Sequence, residues 1–351
     1  MERRLFAGLV VVGLAACAVQ YGPPVRSHDA RFGFLGGAGP PPDEATLCRD
    51  WPKAVSGRDP SALSHVSFAD AAPEAACYTR VVHQGRTVLV GRVPEGCEGP
   101  DDAGREAMRR LADRLESSAS PTLFPCDLTA TQERAAARHD AAVLRRVAAR
   151  EGQYPYAAVI VPGYGEASQG DTSVADWLPG DECHDLAPGE AESLGVMLER
   201  TLRASDSLAA GVAPLAIVSG GAVHSRAVEA FEMLYLLQCV PGRVAENVIV
   251  EPCAQHTHTN LRDAGRWLVA MGGRVAYLVT DEGLQASYFQ DYSGFELIGG
   301  SIDQRSLRDW GYVIGSWRQA SVGTSAGFWF TPYRFWADPE ARSLTCVNRG
   351  R

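Results

Sequence analysis

The stretch PLAIVSGGAVHSRAVEAFEMLYLLQCVPGRVAENVIVEPCAQHTHTNLRDAGRWL, residues 214–268, decides the fold. Two short apolar runs, 215–218 and 248–250, are each followed by a glycine or polar turn and then by apolar residues at helical spacing. This alternation predicts an α/β protein with a doubly wound, mostly parallel sheet. Ligands of such sheets bind beyond the carboxyl ends of the strands, so the two turns are predicted to face one crevice.

The same pattern extends in both directions and predicts a main domain over residues 151–300. An apolar strand over 157–161 ends in Pro162-Gly163-Tyr164-Gly165-Glu166, and a polar loop over 167–185 leads to the next helix. A further strand over 274–280 precedes Asp281, and residues 297–298 are a candidate last strand. The aromatic-rich segment 301–351 is interpreted as a C-terminal packing extension.

Residues 45–150 are interpreted as a disulfide-stapled accessory region packed on the main domain. A β-hairpin is predicted from two β-rich segments, 78–82 and 87–93. Two helices are predicted over 101–117 and 130–150 because their apolar residues recur at helical spacing. We find no chemistry in this region from the sequence.

The first residues have the features of a bacterial export signal. Arg3-Arg4 precede an apolar run over residues 5–16, which is too short to cross a membrane comfortably and has the length of a signal-peptide core. Leu14-Ala15-Ala16-Cys17 resembles a lipobox, which predicts lipidation of Cys17; the alternative is an ordinary signal with an incidental cysteine. The Gly- and Pro-rich residues 17–44 are then a tether. With Ala18 after the cysteine, the usual Gram-negative sorting rule predicts a protein anchored to the periplasmic side of the outer membrane.

The composition argues against one class of partner, nucleic acid, and favours disulfide bonds. A net charge of −9 argues against nucleic-acid binding, which relies on basic patches. Of 9 cysteines, the eight other than Cys17 are an even number that an oxidising compartment can pair. Because a strand separates the sheet's floor from its crevice, we argue against Cys239–Cys253 and favour Cys183–Cys253.

The order of motifs along residues 157–300 resembles the SanA/YdcF/ElyC family of bacterial envelope proteins. The motifs that carry the resemblance follow one another as in that family: Val161-Pro162-Gly163-Tyr164-Gly165, Ser219-Gly220-Gly221, Glu229 to Met233, Val240-Pro241, Glu251, Thr257 to Asn260 and Val279-Thr280. The resemblance implies a Rossmann-like fold and a role in envelope integrity and in peptidoglycan or lipid-carrier metabolism. Two features depart from the family. Thr259 replaces the usual Glu, and the residues after Thr280 lack the usual Ser, His and Arg.

A small anionic ligand, a phosphate or pyrophosphate, is the predicted occupant of the crevice. Glycines let backbone N–H groups approach a ligand, and a helix N-terminus favours an anion. The alternative is that the glycines only form tight turns. The ligand-binding candidates lie at strand exits or at the start of the helix that follows: Gly163, Gly165, Glu166, Ser219, Gly220, Gly221, Thr257, Asn260 and Thr280. No dinucleotide or ATP fingerprint is present in the glycine turns.

His224, Glu251 and Asp281 are the catalytic candidates, since each follows a predicted strand. Ser219 is also a conceivable nucleophile but lacks the Gly-x-Ser-x-Gly elbow, so a serine holding ligand or backbone is favoured. His256 and His258 are interpreted as residues of a capped helix start rather than as metal ligands. Together with these histidines, four further polar residues and Asp281 could supply acid–base pairs or a metal site: Glu166, Asp181, His184 and Asp185. The segment 181–185 is interpreted as a solvated loop. No metal site is predicted, and the sequence identifies no cofactor.

These observations predict a lipid-anchored envelope protein that binds or acts on a phosphate-bearing envelope metabolite. One alternative is a non-catalytic envelope-integrity protein that keeps the fold without the chemistry. Another is a hydrolase that uses Ser219.

Overall fold

A computed structural model describes most of the chain from residue 78 to residue 332. The described residues are 78–83, 86–91, 100–118, 123, 128–152, 154–164, 172–186, 190, 194–223, 225–240, 243–281, 285, 288, 302, 305–306, 314–322 and 325–332. The leader with Cys17, the tether, the candidate strand at 297–298 and residues 333–351 lie outside them. Within the described part of the chain, no helix combines the length and the apolar character that crossing a membrane requires.

The described elements alternate between helix and strand through the centre of the chain. In chain order they are β1 (Tyr78–His83), β2 (Arg86–Gly91), α1 (Asp102–Ser117), α2 (Ala130–Ala148), β3 (Ala158–Pro162), α3 (Gly195–Ala209), β4 (Ala216–Ser219), α4 (Glu229–Cys239), β5 (Val248–Glu251), α5 (Thr257–Ala270), β6 (Ala276–Val279), β7 (Gly315–Val322) and β8 (Ser325–Pro332). The predicted hairpin and both predicted N-terminal helices are therefore present.

Six strands form one mixed sheet in the order β5-β4-β3-β6-β8-β7. The first four are parallel, as predicted, with Val161 opposite Val218 and Val218 opposite Val250. Strand β8 pairs antiparallel with β6, and β7 pairs antiparallel with β8. An α/β protein with a mostly parallel, Rossmann-like sheet is thus confirmed. The last two strands were not predicted and extend this sheet with residues assigned to the C-terminal extension.

Helices cover both faces of the sheet. Successive residues of a strand point to opposite faces, and in β3 Ile160 belongs to one buried core while Val159 and Val161 belong to the other. The Ile160 side packs against α1, α2 and α5, and the Val159 side packs against α3 and α4. Leu111 of α1 and Leu144 of α2 lie in the same core as Ile160. Helices α1 and α2 therefore pack directly on one face of the sheet.

Helix α2 also covers the open edge of the sheet at β5. The imidazole Nε2 of His139 lies 2.8 Å from the Val248 carbonyl, and the Val250 N–H donates to Asp140 Oδ1 at 2.9 Å. Burial raises the pKa of Asp140 and lowers that of His139. A neutral histidine donating from Nε2 and a carboxyl oxygen accepting from an N–H thus replace the backbone partners that a neighbouring strand would supply.

The predicted Cys183–Cys253 pairing is wrong, because Cys183 is bonded to Cys239. From residue 172 onward, the chain between β3 and α3 follows α4 toward the C-terminal end of that helix. Thr172 Oγ1 donates to Glu232 Oε1 of α4 at 2.9 Å. About one turn further along α4, the ring of Tyr235 lies 5.3 Å from the ring of Trp177. The path brings the Cα atoms of the two cysteines to 5.4 Å. Cys253 is also disulfide-bonded, but not to Cys183.

Candidate functional site

The exits of the four parallel strands meet at one edge of the sheet, as predicted. Pro162 lies opposite Ser219, and Ser219 lies opposite Glu251, in a continuous parallel register. Strand β6 is parallel to β3 on its other side, which brings Thr280 and Asp281 to the same edge. Helices α4 and α5 begin just beyond these exits. The edge is therefore the crevice in which a sheet of this kind places its ligand.

A buried polar network forms the floor of the crevice at β4 and β5. The Ser219 hydroxyl lies 2.6 Å from Glu251 Oε2 and 3.1 Å from Asn260 Oδ1. The Cys253 N–H donates to the other carboxyl oxygen, Glu251 Oε1, at 2.9 Å. Ser219 and Glu251 are fully buried, and Asn260 is 4% exposed. The network joins the exits of two strands to the first turns of α5.

A proton on Glu251 satisfies every contact in this network. Burial raises the pKa of Glu251 to about 8, and the nearby carboxylate of Asp263 adds to the rise. A hydroxyl carries one proton, so Ser219 cannot donate to an ionised Glu251 and to Asn260 Oδ1 at once. When Glu251 is protonated, it donates to Ser219, which then donates to Asn260. Burial and the charge of Asp263 thus favour the neutral carboxyl, and they outweigh the hydrogen bonds from Ser219 and Cys253, which lower the pKa of Glu251.

Arg200 of α3 forms a second buried cluster at the β3 and β6 exits. Its Nη1 donates to the carbonyls of Pro162 and Gly163, each at 2.9 Å, and its Nη2 forms an ion pair with Asp281. The guanidinium carbon lies 4.7 Å from the centre of the Tyr164 ring. Burial lowers the pKa of Arg200, and Asp281 opposes that effect. Asp281, predicted as catalytic, is thus paired with a buried cation.

The sequence analysis did not single out Arg200, although the sequence contains a signal for it. The buried face of α3 carries Met197, Arg200, Thr201 and Ala204, which recur at intervals of three and four residues. An arginine in such a stripe is a buried cation that needs partners.

The glycines at the first two exits make room for the side chain of Glu229. A Cβ atom built on Gly220 would lie 2.5 Å from Glu229 Oε2, and one built on Gly163 would overlap the same oxygen. A Cβ on Gly221 would lie 2.8 Å from the Ala254 carbonyl oxygen. A side chain at Gly221 would meet fixed backbone, whereas one at Gly163 or Gly220 would require the side chain of Glu229 to move. Glu229, the first residue of α4 and 5% exposed, is the second important residue that the analysis did not assign to the site.

The N–H groups of these glycines bond within the protein and do not form the predicted phosphate cradle. Gly163 donates to Ser219 O at 2.6 Å, Gly220 to Glu251 O at 2.9 Å and Gly221 to Ala254 O at 2.7 Å. The bonds of Gly163 and Gly220 continue the pairing of the strands beyond their ends. At these three glycines the contacts favour the alternative explanation, a tight turn that packs closely, over backbone donation to a ligand.

The start of α5 is the more open part of the crevice. His256 is exposed, Thr257 is half-buried, and the rings of His256 and His258 stack with their centres 5.7 Å apart. Thr259 Oγ1 accepts from the N–H groups of Gln255 and His256 at 2.8 and 2.7 Å. Thr259, where the resembled family has Glu, thus fixes the chain that enters the helix.

The other predicted site residues lie in three places. His224, Gly165 and Glu166 fall outside the described residues. Thr280 is buried at the β6 exit. Asp181, His184 and Asp185 lie toward the C-terminal end of α4 rather than at the crevice, since the His184 carbonyl accepts from the Tyr235 hydroxyl. Among the residues that the structure describes, no three His, Cys, Asp or Glu side chains are grouped closely enough to hold a metal ion.

Comparison of the chain with protein-family models, with curated proteins and with solved structures finds no match. The resemblance to the SanA/YdcF/ElyC family stays a prediction that rests on the order of the motifs. The function is accordingly argued from the crevice.

Proposed function

We propose that this protein is an exported, lipid-anchored envelope protein of the SanA/YdcF/ElyC type that binds a phosphate-bearing envelope metabolite. The observation that supports the proposal is the convergence of Arg200 and the N-termini of α4 and α5 at one crevice. A helix N-terminus carries a partial positive charge, and the guanidinium of Arg200, although paired with Asp281, keeps a buried Nε–H that has no partner among the described residues. Positive groups gathered beyond the ends of parallel strands are a typical setting for a phosphate.

The buried network favours binding over catalysis by Ser219. A serine nucleophile needs a base that removes its proton. The partners of the Ser219 hydroxyl within the described residues are Glu251 and Asn260, and the neutral Glu251 donates a proton rather than accepting one. Full burial also keeps the hydroxyl from a substrate. This observation supports the second candidate, an envelope protein that binds its ligand without catalysing a reaction.

The binding test compares a prenyl phosphate with its alcohol. Calorimetric titration of the purified protein with farnesyl phosphate is expected to give saturable binding, whereas farnesol, which lacks the phosphate, binds at least tenfold more weakly. Arg226→Ala removes an exposed cation that precedes α4 in the chain and pairs with Asp176, and it is expected to weaken binding. Arg110→Ala is the matched control, because this arginine is similarly exposed but lies on α1. Equal binding of both compounds, or equal effects of both variants, contradicts the proposal.

Catalysis and anchoring are tested separately. We expect the purified protein not to hydrolyse phosphoester substrates through Ser219. Hydrolysis by the wild type that is lost in Ser219→Ala would identify a hydrolase. Radiolabelled palmitate is expected to label the wild-type protein in a bacterial host but not Cys17→Ser. Label in both proteins, or in neither, refutes the lipid anchor at Cys17.

A further inference from the structure

The notch between Gly163 and Gly220 already contains an anion, the carboxylate of Glu229. Both glycines present a bare Cα to Glu229 Oε2, and any larger residue at either position would displace that oxygen. The notch lies where the exits of β3 and β4 meet, at the centre of the crevice edge. Glu229 fills the place that the topology assigns to a ligand.

Two independent features stabilise negative charge in this notch. Glu229 is the first residue of α4, so its carboxylate lies at the positive end of the helix dipole. The guanidinium of Arg200 bonds to the Gly163 carbonyl, and the charge of Glu229 raises the pKa of Arg200. The Arg200 Nε–H is buried and has no hydrogen-bond partner among the described residues. An unsatisfied N–H on a buried cation is a donor that an incoming oxyanion can use.

We propose that the notch is an anion-binding site that Glu229 closes from within, and that a phosphate group enters it by displacing this carboxylate. The inference rests on the proposed function and adds the position of the phosphate and the residue that controls its entry. A tethered carboxylate competes at an effective concentration in the millimolar range or above. The wild-type protein therefore binds simple anions weakly, and phosphate or pyrophosphate, with more charge and more acceptor oxygens, competes better than a monocarboxylate.

The experiment opens the notch and refills it. In Glu229→Ala, inorganic pyrophosphate is expected to bind at least tenfold more tightly than to the wild type in calorimetric titration at constant ionic strength. Acetate restores the missing carboxylate, so it is expected to raise the melting temperature of this variant and to compete with pyrophosphate for it. Acetate has neither effect on the wild type. Sodium chloride at the same ionic strength controls for screening.

Glu232→Ala is the matched control on the same helix. It also removes a buried carboxylate, but this one bonds to Thr172 on the loop side of α4 and does not face the two glycines. No rescue by acetate and no gain in pyrophosphate affinity are expected for this variant. A rescue of equal size in both variants shows that anions stabilise any cavity in α4, and it overturns the inference.

Glu229→Gln keeps the test decisive if the alanine variant does not fold. The amide preserves the volume and removes the charge, so pyrophosphate is still expected to bind more tightly than to the wild type. Unchanged pyrophosphate affinity in a folded Glu229 variant, without acetate rescue, refutes the inference. If the wild type nevertheless binds farnesyl phosphate and not farnesol, the proposed function stands and only the position of the phosphate is wrong.

Discussion

Replacing Glu251 with glutamine is expected to make the protein less sensitive to rising pH without disturbing the crevice. The amide copies the protonated carboxyl: its oxygen accepts from the Cys253 N–H, and its NH₂ group donates to Ser219, which donates to Asn260. The variant therefore keeps every contact that the neutral glutamate makes. It differs from the wild type only in having no proton to lose.

The magnitude follows from the pKa of Glu251, which rises from an ordinary 4.5 to about 8 in the folded protein. The raised value means that the stabilising contribution is complete below pH 4.5 and is lost as the pH rises through about 8. Each pKa unit corresponds to about 1.4 kcal/mol. Between about pH 5 and pH 8.5, Glu251 alone is therefore expected to lower the free energy of unfolding of the wild type by about 4 kcal/mol.

Urea unfolding at about pH 5, 7 and 8.5 measures this effect, provided that one transition is seen at each pH. Glu251→Gln is expected to match the wild type at the lowest pH and to exceed its stability by several kcal/mol at the highest. Glu246→Gln is the control, because it makes the same substitution at an exposed glutamate outside the network. A Glu251→Gln variant with the wild-type pH slope, or one equally destabilised at every pH, refutes the neutral-carboxyl network.

Two further predictions concern the edge strand and the disulfide bond. Asp140→Ala leaves the Val250 N–H buried without its acceptor and is expected to cost about 2 kcal/mol in urea unfolding, whereas Asp140→Asn keeps an acceptor oxygen and costs less; equal losses contradict the edge contact. Replacing Cys183 and Cys239 together with serine removes a bond between residues 56 positions apart. It is expected to cost about 4 kcal/mol, measured in the same way, and an unchanged urea midpoint refutes this contribution.

The parallel part of the sheet could be predicted because its strands are buried on both faces. A strand covered by helices on each side has no polar face, so its sequence is a short continuous apolar run. Residues 157–161 and 248–250 have this form, and each is followed by a helix-patterned segment. Four such units leave few alternatives to a doubly wound sheet.

Strands β7 and β8 were missed because their sequences weaken the usual strand signal. Strand β7 begins with Gly315, Gly327 lies within β8, and glycine lowers the intrinsic preference for a strand. Both glycines are required by packing: a Cβ atom on Gly315 would lie 2.8 Å from the Phe330 ring, and one on Gly327 would lie 2.7 Å from the Tyr277 ring. This pairing depends on residues about fifty positions apart, so no local pattern reveals it.

The crevice residues show a similar limit for charged side chains. Arg200 and Glu229 read as surface residues, because charged side chains are rarely buried. Their burial follows from tertiary contacts: Arg200 neutralises Asp281 and caps two carbonyls, and Glu229 fits where two glycines meet. The path of the loop from Thr172 to Cys183 also depends on tertiary contacts, so the local sequence does not predict it. The sequence therefore indicated no role for Arg200 or Glu229 and the wrong disulfide partner for Cys183.

The two explanations of a glycine after a strand predict different chemistry, and the contacts at the crevice distinguish between them. A glycine that donates its N–H to a ligand leaves an open site, whereas a glycine that admits a neighbouring side chain leaves a closed one. Gly163 and Gly220 are of the second kind, with their N–H groups bonded to the chain and their Cα atoms covered by Glu229. Since the covering group is itself a carboxylate beside a buried arginine, the contacts that close the notch are the ones that the proposed anion would have to take over. Displacement of Glu229 is therefore the step that separates the proposed binding site from a glycine turn that is closed for packing alone.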